Sequence, residues 1–147
     1  MRSVAELRAT VAAWRRSGDT VGFVPTMGAL HEGHITLVRK AQQACTRAVV
    51  SIFVNPKQFG PREDFTSYPR QEMADAMALT RAGCDLLYAP AVREMYPEGF
   101  RSTVSVAGLS DGLCGAHRPG HFEGVATVVT KLLLQVGADA AYFGEKD

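Results

Sequence analysis

The chain has 147 residues, of which 46% are hydrophobic, and its formal net charge is +1. This size and composition favour one globular domain with a real core and exclude a disordered or fibrous chain. The near balance of acidic and basic residues predicts no broad basic surface for binding nucleic acid.

The sequence contains no pattern typical of a membrane span or a signal peptide. No apolar run approaches the roughly 20 residues of a membrane span, and charged residues interrupt the first sixteen positions, so we expect no membrane partner and no signal peptide. The three cysteines, Cys45, Cys84 and Cys114, lie far apart and follow neither a disulfide nor a zinc pattern. Reduced, buried thiols in a cytoplasmic protein are therefore expected.

Helix and strand patterns alternate through the first half of the chain. Ser3 and Glu6 have capping-box spacing ahead of an apolar helical face, which predicts a helix over about residues 3–16. Apolar runs at 21–24 and 48–54 predict buried parallel strands, with a helix from Ile35 between them.

The second half continues the alternation. We expect a helix opened by Pro69 and closed by Gly83, a strand at 85–89, irregular structure at 91–101 and a short strand at 103–107. The glycine- and histidine-rich stretch 112–124 is typical of a functional connection. A helix over 125–136 should then face inward through Val125, Val128, Val129, Leu132, Leu133 and Val136, before a last strand at 140–143.

This order predicts an α/β fold with a Rossmann-like, doubly wound parallel sheet. The chain stops in the turn after the last predicted strand, before the helix that should follow. We therefore expect residues 1–147 to be a C-terminally incomplete nucleotide-binding domain.

Residues 25–34, PTMGALHEGH, place two histidines and two glycines at a strand-to-helix turn. His31 and His34 should share a helical face beside free backbone N–H groups and the positive end of the dipole, a setting that favours a phosphate. Gly28 and Gly33 leave room for a nucleotide to approach the backbone. A zinc site of the HExxH type needs the second histidine at i+4 rather than i+3. The alternative is a pair of solvated, helix-capping histidines.

Other candidate site residues follow the remaining predicted strands. Asn55 and Gln58 can bind a polar substrate or face water as loop amides. Lys146 can neutralise phosphate and Asp147 can accept from ribose hydroxyls, or both lie in an exposed turn. The face formed by Val125, Val128 and Val129 is more typical of core than of a pocket, and His117, Arg118 and His121 are interpreted as surface loop residues.

Five segments taken together resemble the pantothenate synthetase (pantoate–β-alanine ligase) family, within the HIGH-motif nucleotidyltransferase-like superfamily. They are PTMGALHEGH at 25–34, FVNPKQFG at 53–60, SYPR at 67–70, RPGHFEGVATVV at 118–129 and FGEKD at 143–147. The resemblance implies an ATP-dependent ligase that uses Mg²⁺ and condenses pantoate with β-alanine in pantothenate and coenzyme A biosynthesis. The reaction passes through pantoyl adenylate and releases pyrophosphate and AMP.

The resemblance also implies roles for residues. The implied catalytic residues are His31, His34 and Lys146, and Tyr68 would shape a mobile flap over the site. The implied ATP-binding residues are Met27, Gly28, Ala29, Leu30, His31, Glu32, Gly33, His34, Gly144, Glu145, Lys146 and Asp147. The implied residues for pantoate and β-alanine are Pro25, Met27, Asn55, Gln58, Val125, Val128 and Val129.

This chain departs from the family pattern in one respect. The family continues past GEKD with a glutamine for pantoate, a serine- and arginine-containing loop for the triphosphate and a C-terminal lid domain, and none of these is in the sequence. The expected assembly is a homodimer. Two alternatives stay open: a non-catalytic half-domain that binds ATP and pantoate, and a HIGH-type nucleotidyltransferase for another acceptor.

Overall fold

A four-stranded parallel sheet organises the chain. The structure, a computed structural model, describes residues 1–59, 71–107 and 120–145. Its strands are β1 (Val21–Thr26), β2 (Arg47–Ile52), β3 (Leu86–Tyr88) and β4 (Ala140–Ala141), in the spatial order β3-β2-β1-β4. The chain runs outward from β1 to β3 and then returns to pair β4 with the other side of β1. The predicted α/β, Rossmann-like parallel sheet is confirmed.

Helices cover both faces of this sheet. They are α1 (Val4–Arg16), α2 (Glu32–Ala44), α3 (Glu72–Arg81), α4 (Val92–Met95) and α5 (His121–Val136). One hydrophobic cluster joins the sheet to α1, α4 and α5, and a second joins it to α2 and α3. Burial on both faces explains why β1 and β2 read as continuous apolar runs rather than alternating ones.

Two local features of the sequence position α1 and α2. Ser3 and Glu6 form the predicted capping box at the start of α1. At Gly22 in β1, a Cβ atom would lie 3.0 Å from Cβ of Ala41, so the glycine allows α2 to pack closely against the sheet. None of the helices among the described residues is both long and apolar enough to cross a membrane.

Several predicted boundaries are wrong. Helix α3 begins at Glu72 after a non-helical Gln71, not at Pro69, and the stretch expected to be irregular contains α4. Residues 103–107 form no strand; the backbone N–H of Val104 instead donates to Oγ1 of Thr127, 2.9 Å away. A two-residue β4 replaces the longer strand expected at 140–143.

Helix α5 also differs in its buried face. It begins at His121, and it buries Gly124, Thr127 and Gln135 together with Val128, Leu132 and Val136. Leu133, predicted to face inward, is exposed. The polar residues are accepted in the interior because they have partners: Oε1 of Gln135 accepts from the hydroxyl of Tyr88.

Candidate active site at the carboxyl edge of the sheet

Three loops meet the carboxyl edge of the sheet near its topological switch point. The turn 27–30 follows β1, a 3₁₀ turn at Pro56–Gln58 follows β2, and Gly144 and Glu145 follow β4. The sheet order places β1 between β2 and β4, so the first of these loops lies between the other two. In open α/β sheets this crevice is the usual ligand site.

The turn after β1 has an unusual backbone. Gly28 has φ +86° and Ala29 has φ +51°. A positive φ is common for glycine but uncommon for a residue such as alanine. The N–H of Gly28 donates to Oγ1 of Thr26, while the N–H groups of Ala29 and Leu30 donate to the carboxylate of Asp75 on α3. The turn is therefore held from the strand before it and from a helix distant in sequence.

The two histidines cap α2 together. Nδ1 of His31 accepts from the N–H of Gly33 at 3.1 Å, and Nδ1 of His34 accepts from the N–H of His31 at 3.2 Å. The ring centroids lie 4.2 Å apart. Because each Nδ1 is an acceptor, a neutral ring in this arrangement carries its proton on Nε2, and Nε2–H is then its donor.

This geometry corrects part of the phosphate-binding prediction. The N–H groups of Ala29, Leu30, His31 and Gly33 are not free, because each donates to a side chain of the protein. The two imidazole rings can still offer donors to an anion, and the α2 dipole favours negative charge there. Glu32, predicted to bind ATP, forms an exposed ion pair with Arg39, 2.7 Å away, which adds little stability.

The side chain of Gln58 reaches back to the turn after β1. Its Nε2 donates to Sδ of Met27 at 3.0 Å, and its Oε1 accepts from Nδ2 of Asn55 at 3.1 Å. Met27 and Gln58 are both half-buried. The predicted substrate residues Met27 and Gln58 are thus brought into direct contact, although 31 positions separate them in sequence.

Asn55 occupies a different environment, since it is 0% exposed. Nδ2 also donates to the carbonyl of Gly124 at 3.0 Å, and Oδ1 accepts from the hydroxyl of Tyr96 at 2.8 Å and from the N–H of Lys57. Burial raises the pKa of Tyr96 to about 12, so its hydroxyl stays protonated and donates. Asn55 is therefore placed to hold Gln58 rather than to reach solvent.

Helix α5 is joined to the 3₁₀ turn at its first residues. Nδ1 of His121 lies 2.7 Å from the carbonyl oxygen of Gln58. A Cβ atom on Gly124 would lie 2.6 Å from the carbonyl carbon of Lys57 and 2.9 Å from the nitrogen of Gln58. The interpretation of His121 as a surface loop residue was wrong: it is half-buried, begins α5 and contacts the Gln58 backbone.

Two lysines add positive charge beside this turn. Nζ of Lys57 lies 5.1 Å from the ring centre of Tyr96, and Nζ of Lys131 lies 4.1 Å from that of Phe100. Desolvation and, less strongly, the charge of Lys57 lower the pKa of Lys131. The positive potential near Gln58 favours anionic ligands.

A cavity of about 280 Å³ lies between the turn after β1 and the residues that follow β3. Its lining includes Met27, Gly28, Phe53 and Asp75, but not His31, His34 or Gln58. Among the described residues, no three histidine, cysteine or acidic side chains form a group that could hold a metal ion.

The remaining predicted residues divide into two sets. Pro25 is half-buried in β1, Val128 lies in the core, and Val125 and Val129 are half-buried on α5, so the α5 valines contribute to the interior. Their predicted contact with substrate stays a prediction. Lys146 and Asp147, together with Tyr68, Cys114, His117 and Arg118, lie outside the described residues.

Sequence reasoning missed four residues that build this site: Asp75, Tyr96, His121 and Gly124. Asp75 and Tyr96 gave no local signal, whereas His121 and Gly124 lie in the stretch 112–124 that was predicted to be a functional connection. Asp75 looks like an ordinary residue of an exposed helical turn, and Tyr96 lies in a stretch expected to be irregular. The stretch 112–124 did not indicate which residues contact the 3₁₀ turn, since the helix was expected to begin at 125 and the structure begins it at His121.

The family model and the curated relatives that match this chain point to the same family. The family model described as "Pantoate-beta-alanine ligase" matches residues 1–147. Two relatives named pantothenate synthetase are similar to the chain: that of Paramagnetospirillum magneticum is 68% identical over 147 residues, and that of Chelativorans sp. is 64% identical over 146. These matches cover 100% and 99% of the chain but 52% and 51% of the relatives, so the chain spans about half the length of the curated relatives it matches.

Solved structures agree with the sequence comparison. The pantothenate synthetase of Thermus thermophilus superposes with a TM-score of 0.92 at 53% identity, over 99% of this chain and 51% of that one. The pantoate-beta-alanine ligase of Francisella tularensis, crystallised with "Beta-gamma ATP and Beta-alanine", superposes with a TM-score of 0.91 at 37% identity, over 99% and 56%.

Proposed function

The chain belongs to the pantoate-beta-alanine ligase family, and on that premise we propose that it carries the nucleotide- and pantoate-binding part of an ATP-dependent ligase. The carboxylate of pantoate attacks the α-phosphate of ATP, and pyrophosphate leaves. The amine of β-alanine then attacks the acyl carbon of pantoyl adenylate, and AMP leaves as pantothenate forms. A site that excludes water protects this reactive acyl adenylate from hydrolysis.

We assign the phosphate side of the reaction to His31 and His34. The observation that carries this proposal is their shared cap, in which both Nδ1 atoms accept, so that Nε2–H is the donor of each neutral ring. Donors held in place before the reaction stabilise the charge that builds on the phosphates as the α-phosphate is transferred. Gly144 and Glu145 follow the neighbouring strand β4 at the same edge, and we propose that Lys146 and Asp147 complete the ATP contacts.

We assign the acyl side to Gln58, with Met27 beside it. Asn55 would orient Gln58 by its hydrogen bond, and Lys57 would add favourable potential for a carboxylate. Pro25 and the α5 valines would supply the apolar wall that pantoate requires.

Mg²⁺ is proposed to enter with the nucleotide. The described residues form no three-ligand group that could hold it, whereas Mg²⁺ commonly keeps several waters and takes further ligands from substrate phosphates. We further propose that the protein is a cytoplasmic homodimer, as the family resemblance implies.

Pantoate-dependent exchange of labelled pyrophosphate into ATP tests the proposal directly, with binding of ATP and of pantoate measured separately by calorimetry. Exchange that requires pantoate supports the ligase. Binding of both ligands without exchange would favour a non-catalytic half-domain that binds ATP and pantoate. A chain that binds neither ligand would refute both.

A further inference from the structure

Asp75 is a buried carboxylate that connects α3 to the turn after β1. It is 3% exposed. Its Oδ2 accepts from the N–H of Ala29 at 2.9 Å, and its Oδ1 accepts from the N–H of Leu30 at 2.8 Å. The two carboxylate oxygens therefore hold two consecutive backbone donors, 46 and 45 positions away in sequence.

The turn that Asp75 holds is strained. Gly28 and Ala29 both have positive φ, and Ala29 is the non-glycine residue with this conformation among the described residues. Strained backbone persists only where the surroundings determine it. A Cβ atom on Gly28 would lie 3.1 Å from Oδ2 of Asp75, so glycine is also the residue that lets the carboxylate approach.

The strain sits immediately before the histidine pair. Leu30 precedes His31, whose own N–H donates to His34 and whose ring accepts from Gly33. The direction in which the chain leaves Leu30 sets the position of His31 at the start of α2. A change in the backbone of this turn would therefore move the imidazole rings of both His31 and His34.

We propose that Asp75 is a positioning residue, which holds Gly28 and Ala29 in their left-handed conformation and so places His31 and His34 for ATP. Its effect on ATP rests on the proposed function; its effect on the turn does not. A carboxylate offers a separate oxygen to each of the two N–H groups, whereas an asparagine at this position would present one oxygen and one NH₂ donor.

The test compares Asp75→Asn with Asp139→Asn. Oδ2 of Asp139 accepts from the N–H of Val21, 2.7 Å away, at the opposite end of the same strand β1. Both changes thus remove a carboxylate that accepts from backbone N–H groups near one end of β1. Only the Asp75 carboxylate contacts the turn that leads to the histidines. Amide hydrogen exchange is followed by NMR in the full chain, and ATP binding is followed by calorimetry.

In Asp75→Asn, exchange at the amides of Ala29 and Leu30 should accelerate about tenfold or more, because a hydrogen bond to a charged acceptor is lost. ATP should bind about tenfold more weakly, as the histidines lose their placement. Asp139→Asn should accelerate exchange at Val21 and leave ATP binding within about twofold, since the change lies at the other end of the strand. Ala29→Gly, which removes the strain, should restore part of the ATP affinity of Asp75→Asn and keeps the test usable if the single variant is unstable.

Unchanged exchange at Ala29 and Leu30 would overturn the proposal. Faster exchange with unaltered ATP affinity would reduce Asp75 to a structural role and also overturn it. If the wild-type chain binds no ATP, the proposed function fails together with the role of Asp75 towards ATP, while the exchange data still decide whether Asp75 holds the turn.

Discussion

Gly124→Ala should push α5 away from the 3₁₀ turn that carries Gln58. Gly124 lies in the first turn of α5 with its carbonyl bonded to Asn55. The added Cβ would lie 2.6 Å from the carbonyl carbon of Lys57 and 2.9 Å from the nitrogen of Gln58. Since non-bonded carbon atoms rest about 3.5–4.0 Å apart, α5 and the 3₁₀ turn must separate by about 1 Å.

The expected magnitudes differ for stability and for function. Overpacking costs about 1–3 kcal/mol, and the gain in helix propensity from glycine to alanine returns about 1 kcal/mol. The free energy of unfolding should therefore fall by about 0–2 kcal/mol. A displacement of about 1 Å at Gln58 can slow a reaction about 100-fold, so pantoate-dependent pyrophosphate exchange should fall far more than stability.

Gly137→Ala is the matched control. It makes the same change at the other end of α5, where nothing lies within 4 Å but φ is +61°. An alanine in the left-handed region costs about 1–2 kcal/mol, so this variant should lose comparable stability without moving Gln58. Exchange activity and thermal unfolding are measured for both. Equal loss of exchange in the two variants, or normal exchange in Gly124→Ala, would refute the reasoning.

Three further predictions follow from the site and the core. His34→Ala should slow pantoate-dependent exchange about 10²–10³-fold, the effect of losing one preorganised donor. Gly33→Ala should leave the unfolding midpoint about unchanged, because the gain in helix propensity offsets the lost cap. It should weaken ATP binding about 2–10-fold, because its Cβ would lie 2.9 Å from Cε1 of His31 and break the hydrogen bond from the Gly33 N–H to the His31 ring. Burial raises the pKa of Cys84 to about 11, so alkylation by iodoacetamide, mapped by mass spectrometry, should be slow at neutral pH and accelerate until the pH reaches about 11.

A control variant or a contrary result is defined for each of these three predictions. Thr36→Ala, on an exposed position of α2, serves as the control for His34, and comparable exchange rates in the two variants would remove His34 from the reaction. For Gly33, tight ATP binding combined with a stable helix would mean that the His31 ring need not lie where the cap places it. Rapid labelling of Cys84, which is half-buried rather than buried as predicted, at pH 7 would show that its surroundings do not raise the pKa of the thiol.

Part of the site could be predicted because its signals are local. The glycine turn, the two histidines and the amide pair after β2 stand next to strands whose apolar runs are easy to recognise. The carboxyl ends of parallel strands meet at one edge, so identifying the strands placed these residues together. Met27 and Gln58, expected to share a ligand, indeed touch.

The supporting residues could not be predicted in the same way. Asp75 becomes buried only when α3 packs beside the turn, and Tyr96 gains its role only when its hydroxyl meets Asn55. The expectation of free N–H groups at the start of α2 is wrong for His31 and Gly33, because their partners are imidazole rings whose positions the pattern does not indicate. A helix N-terminus offers donors in general, but here the histidine rings already accept from the N–H groups of His31 and Gly33, and a carboxylate from another helix accepts from the two residues before them.

The sequence by itself determined the order of helices and strands, the parallel sheet, the position of the histidine turn and the family resemblance, since each depends on short-range patterns of polarity and on motif spacing. Only the tertiary structure decided that Asn55 is buried, that His31 and His34 cap one helix through Nδ1, and that Asp75 holds the turn before them. Those features depend on where packing brings side chains and backbone donors together, and for Asn55 and Asp75 the partners are far apart in the chain. Such bonds gain their strength only after packing has excluded water from both partners.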